Sequence, residues 1–201
     1  MTLLELMTVV AIIGVFATLA VTNFMTFTTR QKKQGAAKEI FQSLIKARQL
    51  AITTNSPVRL VALPPLPNGR VVVRWERVGC TDTTWGTGPC PSPACSTNLC
   101  GVGGCVCPEV GPDILLPMAA DFTVSPRLKG LCFLPGTGAA VGAASPTGGP
   151  FCASPGVAFN DTDLWLNFPS GGDKVFLVVE RLSGLARYAD CGVMPKPSPC
   201  P

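Results

Sequence analysis

Histidine is absent from all 201 residues, and with it the chemistries that depend on an imidazole. No such ring is available as a general base, as the middle member of a nucleophilic triad, or as a nitrogen ligand for zinc. The chain also lacks a nucleophile elbow, a Gly-rich phosphate loop and paired carboxylates outside loops. Asp161 and Asp163 are close in sequence, but Phe159-Asn160-Asp161-Thr162-Asp163 reads as a strand-to-strand turn, not as an acid pair or calcium loop. A non-enzyme without cofactor or metal is therefore expected. A concentrated basic patch is missing as well. The formal net charge is +4 and the basic residues are scattered, so charge balance alone implies no nucleic-acid partner.

Charge is scarcest at the N-terminus. The run that opens "MTLLELMTVVAIIGVFATLAVTNFMTF" and continues to Thr29 holds one charged residue, Glu5. Residues 1–28 are expected to form an apolar helix of roughly 40 Å, long enough for a membrane. No basic residues precede it, as they would in a signal peptide, so either a leader has been removed or none existed. A carboxylate at bilayer depth costs roughly 2.5–3.5 kcal/mol, which makes Glu5 a candidate functional group. A blander reading stands beside it: Thr2-Leu3-Leu4-Glu5 is also a capping box at a helix start.

Arg30, Lys32 and Lys33 follow the run and would place the rest of the chain in the cytoplasm. The cysteines argue otherwise. Ten of them, Cys80, Cys90, Cys95, Cys100, Cys105, Cys107, Cys132, Cys152, Cys191 and Cys200, lie beyond the apolar run. An even, loop-located set is the mark of an oxidising compartment, and we give it more weight than three basic residues. The regular spacing of Cys90, Cys95, Cys100 and Cys105 could bind zinc or an iron–sulfur cluster, but it does not follow the paired Cys-x2–4-Cys pattern. Disulfides are the preferred reading. Proximity suggests Cys132 with Cys152 and Cys191 with Cys200; the other six are paired in an order the sequence leaves open.

Past residue 28, helical periodicity continues as an amphipathic segment over 29–55, with Ala37, Ile40, Phe41, Leu44, Ala47 and Ala51 on one stripe. Asn55-Ser56-Pro57 stops it. Short strands are expected at 58–63, 70–78, 113–118, 121–124, 130–134, 156–159, 164–168, 174–182 and 185–189. Asn68-Gly69 and Ser183-Gly184 mark two hairpins, and residues 79–112 read as a Cys/Gly/Pro-rich insertion. The expected fold class is α+β: a long N-terminal helix, half membrane-embedded and half amphipathic, packed on a strand-rich, two-sheet antiparallel domain over 56–201.

Met1-Thr2-Leu3-Leu4-Glu5-Leu6-Met7, with Gly14 and the apolar run behind it, resembles the mature start of type IV pilins and type II secretion pseudopilins. The resemblance covers the first 28 or so residues. "KARQLAITTNSPVRL" (46–60), "LCFLPGTG" (131–138) and "VVERLSGLARY" (178–188) are looser likenesses to the H-type minor pseudopilins and related minor pilins. The resemblance implies cleavage and methylation at residue 1 by a prepilin peptidase, and pairing of Glu5 with the N-terminal amine of a neighbouring subunit. It further implies other pilin subunits as partners, a single-pass start in the bacterial inner membrane with the domain in the periplasm, and later incorporation into a pilus or pseudopilus. Residue 1 departs from the usual Phe and residue 22 from the Pro of many major pilins, and Met1 is either a mature residue or a start codon. Two alternatives accompany this reading: a major pilin, and a DNA-binding minor pilin of a transformation machine. The basic Gly-Arg-x-Arg-like element of the latter is matched here by Gly184-Leu185-Ala186-Arg187, with Arg187 as the sole arginine of the pair.

Overall fold

A computed structural model describes residues 3–63, 66–79, 94, 95, 98–118, 123–128, 130–142, 160, 163–168 and 174–201. The chain divides into two compact units, Met1–Gly35 and Ala36–Pro201. The helical backbone α1 runs Leu3–Thr53 and so passes from one unit into the other.

The expected fold class is corrected at this point. It required one long helix with a membrane half and an amphipathic half, packed as a single element on the domain. The helix backbone is continuous over Leu3–Thr53 but is shared between the units, residues 3–35 in the first and 36–53 in the second, and the membrane half is what the structure does not support. Among the described residues no helix is long and apolar enough to cross a membrane. The strand-rich, two-sheet antiparallel part of the expectation agrees with the structure.

In the first unit, Leu3, Leu6, Met7, Val9, Val10, Ile12, Ile13 and Val15 are all exposed. In the second unit, Ala36, Ala37, Ile40, Leu44, Ala47 and Ala51 are buried along one stripe of the helix, as steps of three and four residues dictate. Phe41 is half-buried beside them and meets Tyr188 edge-on at 5.7 Å between ring centres. The helix ends where Thr54 donates from both N and Oγ1 to the Leu50 carbonyl and Asn55 turns to a φ of 46°. Asparagine tolerates that left-handed conformation better than most residues.

Among the described residues the first sheet has six strands: β1 (Val58–Leu63), β2 (Arg70–Arg77), β3 (Glu109–Val110), β4 (Ile114–Met118), β6 (Leu131–Phe133) and β7 (Ala140–Val141). Their order is β3-β2-β1-β6-β7, with β4 also on β2. The second has, among the described residues, four strands in the order β10-β9-β8-β5, where β5 is Thr123–Val124, β8 Trp165–Asn167, β9 Lys174–Val179 and β10 Ala186–Asp190. Among the described residues the strand pairings are antiparallel, and β1 pairs β2 in register from Val58 opposite Arg77 to Leu63 opposite Val72. The β9–β10 turn closes through Gly184, whose φ of 65° suits glycine and whose added Cβ would collide with the carbonyl of Gly138.

Strand alternation sends successive side chains to opposite faces. On the inner face of the first sheet Val58, Leu60, Val73, Trp75, Leu131 and Phe133 join the helix stripe in one core. Leu164, Leu166, Val175, Leu177 and Val179 of the second sheet's side complete it. The outer faces are covered differently. Three smaller clusters lie there, and each contains cysteine: Val78 with Cys95, Cys100 and Cys105; Phe176, Val178 and Ala189 with Cys191; and Val141 with Cys132.

Candidate functional sites

Among the described residues, two places combine chemistry with an unusual environment: the exposed helical stretch around Glu5, and the Cys-rich lobe on the outer face of the first sheet.

Glu5 lies in the first turn of the helix and is exposed. Its carbonyl accepts a 2.9 Å hydrogen bond from Thr8 Oγ1, a bond within one helical turn. Met1 and Thr2, the other members of the expected cleavage and capping constellation, lie outside the described residues. Gly14 is exposed, and a Cβ added to it would meet nothing within 4 Å. Among the described residues, no contact requires glycine there. The stretch therefore offers one carboxylate at the head of an apolar surface that its own unit leaves open.

The lobe is built on the β1–β2 pairing. Because Asn68-Gly69 sets the hairpin register, Arg59 falls directly opposite Glu76 on the outer face. Both are fully buried, with Arg59 Nη2 2.7 Å from Glu76 Oε2 and Arg59 Nε donating to the same oxygen at 2.9 Å. The remaining guanidinium donors are spent on the lobe: Nη1 on the Cys95 carbonyl at 2.5 Å and Nη2 on the Asn98 carbonyl at 2.8 Å. Arg74 holds the other carboxylate oxygen of Glu76 at 2.7 Å, and the Cys100 N–H donates to both oxygens at 3.3 Å. Burial lowers the pKa of Arg59 from its usual value, while the adjacent Glu76 carboxylate pushes it back up.

Disulfides Cys95–Cys105 and Cys100–Cys107 close the lobe over this charge cluster. Cys191 and Cys200 are joined across the C-terminal tail, and Cys132 is disulfide-bonded. Cys80, Cys90 and Cys152 lie outside the described residues. Arg187 is exposed on β10 and donates from Nη1 to the Ser198 carbonyl at 2.8 Å. It borders a shallow cleft of about 310 Å³ lined with Val178, Glu180, Leu185 and Ala186. A carboxylate in that lining does not favour a phosphate backbone.

The buried Arg59–Glu76 pair was not foreseen from sequence, although a signal was there. "VRLVAL" places an arginine inside an apolar strand, and "RWERV" places a glutamate at the matching position across an Asn-Gly hairpin. Opposite charges at paired positions in otherwise apolar strands call for each other.

Compared with family models, with curated proteins and with solved structures, the chain matches none.

Proposed function

We propose that the chain is a structural subunit of a helical filament, a minor pilin or pseudopilin of a type IV pilus or type II secretion pseudopilus. The observation that carries this reading is the helical stretch 5–15, whose aliphatic side chains are exposed in the single chain behind one carboxylate. Such a surface calls for a partner, and copies of the same stretch supply one whose shape and chemistry already fit. Head-to-tail packing of this kind is heterologous and grows an open filament instead of a closed ring. The resemblance of residues 1–14 to the pilin N-terminus points the same way. On this reading Glu5 pairs with the N-terminal amine of a neighbouring subunit, because two charges in a bundle core are tolerated only together. Prepilin peptidase is then the processing partner, and the inner membrane the place of assembly. The disulfides agree with a domain that matures in an oxidising compartment such as the periplasm.

Two substitutions separate pairing from helix capping. Glu5→Gln keeps a capping acceptor and loses the charge, whereas Glu5→Ala loses both. Both variants should accumulate in cells and be missing from sheared filament fractions. Normal incorporation of the Gln variant would remove the pairing role, and a wild-type chain that never co-purifies with pilin-like subunits would overturn the proposal.

A further inference from the structure

The edge of a sheet is a row of backbone groups without partners, and proteins shorten such edges, cover them or interrupt them with proline. Among the described residues the outer strands of both sheets follow that rule with one exception. β3, β5 and β7 have two residues each, and β4 carries Pro117. β10 ends the second sheet and runs for five residues without proline. Its ladder to β9 fixes which of its groups are open. Glu180 N donates to the Leu185 carbonyl at 2.9 Å and Cys191 N to the Lys174 carbonyl at 3.0 Å, and the register between them is regular, from Ala186 opposite Val179 to Asp190 opposite Val175. Bonded and non-bonded pairs alternate in an antiparallel ladder. Arg187 and Ala189 therefore bond to β9, whereas the N–H and C=O of Ala186 and Tyr188 point to the open side, where no backbone group of the described residues meets them.

We propose that unassembled chains pair two-fold through β10, with Tyr188 opposite Tyr188, so that two four-stranded sheets join into one. The occupant of this edge is a second copy because the strand complements itself. With the two-fold axis at Tyr188, the two Tyr188 residues exchange both backbone bonds, and Ala186 of each copy lies opposite Asp190 of the other. The neighbouring register, with the axis at Arg187, would set Arg187 directly against Arg187, and like charges facing each other across strands are destabilising. The register at Tyr188 places Ala189 there instead. It also runs the basic start of each strand past the acidic end of the other, since Asp190 of one copy faces the residue next to Arg187 of the other. The side chains agree with the backbone. Tyr188 is 55% exposed although it already meets Phe41 edge-on, and pairing sets two such rings side by side, a favourable cross-strand contact. Ile45, which is 46% exposed, sits on the helix between Phe41, which touches Tyr188, and Arg48, whose Nε donates to the Ser183 carbonyl, and so flanks β10. Two-fold contact covers an apolar seam that one chain leaves open.

The pairing is isologous and closes on itself, so it does not propagate. It goes beyond the filament reading and uses none of the residues 5–15 on which that reading rests.

Tyr188 is the single tyrosine of the chain, which makes the test specific. The full oxidised chain, in neutral detergent micelles, is irradiated with a ruthenium tris-bipyridyl sensitiser and persulfate. Each phenol gives one electron to the oxidant and one proton to water, and the two rings join carbon to carbon as dityrosine. The expected product is a covalent dimer on reducing gels, with dityrosine fluorescence and a Tyr188–Tyr188 peptide by mass spectrometry. Ala186→Pro removes an outward N–H and obstructs the incoming strand while leaving the β9 ladder its bonds, and it should lower the dimer yield by about tenfold, the ratio for a loss of ~1.4 kcal/mol. Glu5→Gln should cross-link as the wild type does, which separates this pairing from filament contacts. Should Ala186→Pro fail to fold, amide exchange of the unsubstituted chain decides instead, because exchange within 185–190 should slow as the chain is concentrated. A wild-type yield no higher than that of a folded Ala186→Pro variant would overturn the pairing. So would a cross-linked peptide without Tyr188, loss of the dimer in Glu5→Gln, or exchange within 185–190 that is the same at every concentration.

Discussion

The two faces of the six-stranded sheet are covered by opposite means. The inner face meets a helix stripe of Ala36, Ala37, Ile40, Leu44, Ala47 and Ala51, and the contact is aliphatic and aromatic throughout. The outer face meets irregular backbone held by cystines, with a fully buried arginine and glutamate beneath it. A helix satisfies its own backbone groups and can lie on apolar strands with no polar help. An irregular segment brings carbonyls and N–H groups that must find partners once buried. Arg59 and Glu76 supply those partners: the guanidinium takes the Cys95 and Asn98 carbonyls, and the carboxylate takes the Cys100 N–H. The buried ions therefore serve less as a salt bridge between strands than as the means by which a loop can act as a layer of the fold. The C-terminal tail repeats part of this scheme, since Cys191 and Cys200 lie with Phe176, Val178 and Trp165 on the outer side of the second sheet.

The comparison breaks most visibly at Glu76. Glu76→Ala leaves Arg59 buried without its counter-charge and Cys100 N–H without its acceptor, a loss of about 3–5 kcal/mol. Urea unfolding of the oxidised chain should show it as a lower midpoint at unchanged slope. A double change to Arg59→Met and Glu76→Leu removes both charges, which in an apolar setting can be neutral. Here it should recover only part of the loss, because the Cys95 and Asn98 carbonyls stay buried with no donor. Full recovery would show that the ions serve each other and not the lobe.

The inner face was the more legible of the two. Its helix stripe follows from residue spacing alone, and the hairpins at Asn68-Gly69 and Ser183-Gly184 follow from turn chemistry. β3 and β7 could not be foreseen, since each has two residues and a period of two cannot show itself in so short a run. The cysteines announced cross-links without their order, because the pairing depends on how the lobe sits over Arg59, which is a tertiary fact. The N-terminal run misled. The apolar run over 1–28 suggested a membrane half, whereas among the described residues no helix is long and apolar enough to cross a membrane. The Arg59–Glu76 pair was hidden for the reverse reason: each residue taken alone is an ordinary charged residue on a strand.

Leu44→Ala tests the inner face by itself. Leu44 is fully buried in the shared core, and truncation should cost about 2–5 kcal/mol, with the value set by how far the helix can settle toward the sheet. Its side chain and that of Glu76 lie on opposite sides of the sheet, with no partner in common. The effects of Leu44→Ala and Glu76→Ala, measured singly and together by denaturant unfolding, should therefore add within about 0.5 kcal/mol. A larger coupling would mean that the outer lobe shapes the helix packing through the strands, and the two faces could not be treated as separate layers.

The smallest effect gives the sharpest control, because it lies one residue along the same strand. Arg77 follows Glu76 on β2 and meets Glu109 of β3 at 3.3 Å, but these side chains are 22% and 44% exposed. Water screens this pair, and the two long side chains lose rotamer freedom on meeting, so its coupling should be at most about 1 kcal/mol. A double-mutant cycle with Arg77→Ala and Glu109→Ala measures it. Repeating the cycle in 1 M salt, where the screening length falls to about 3 Å, should bring the coupling near zero. The loss caused by Glu76→Ala should persist under the same conditions, since no mobile ions reach a pair sealed beneath the lobe. If both responded to salt alike, Arg59 and Glu76 would be in contact with solvent ions, and the cystine-closed segment would not be a true layer of the fold. Unequal responses would establish that two adjacent residues on one strand owe their different energetics to which face each one occupies.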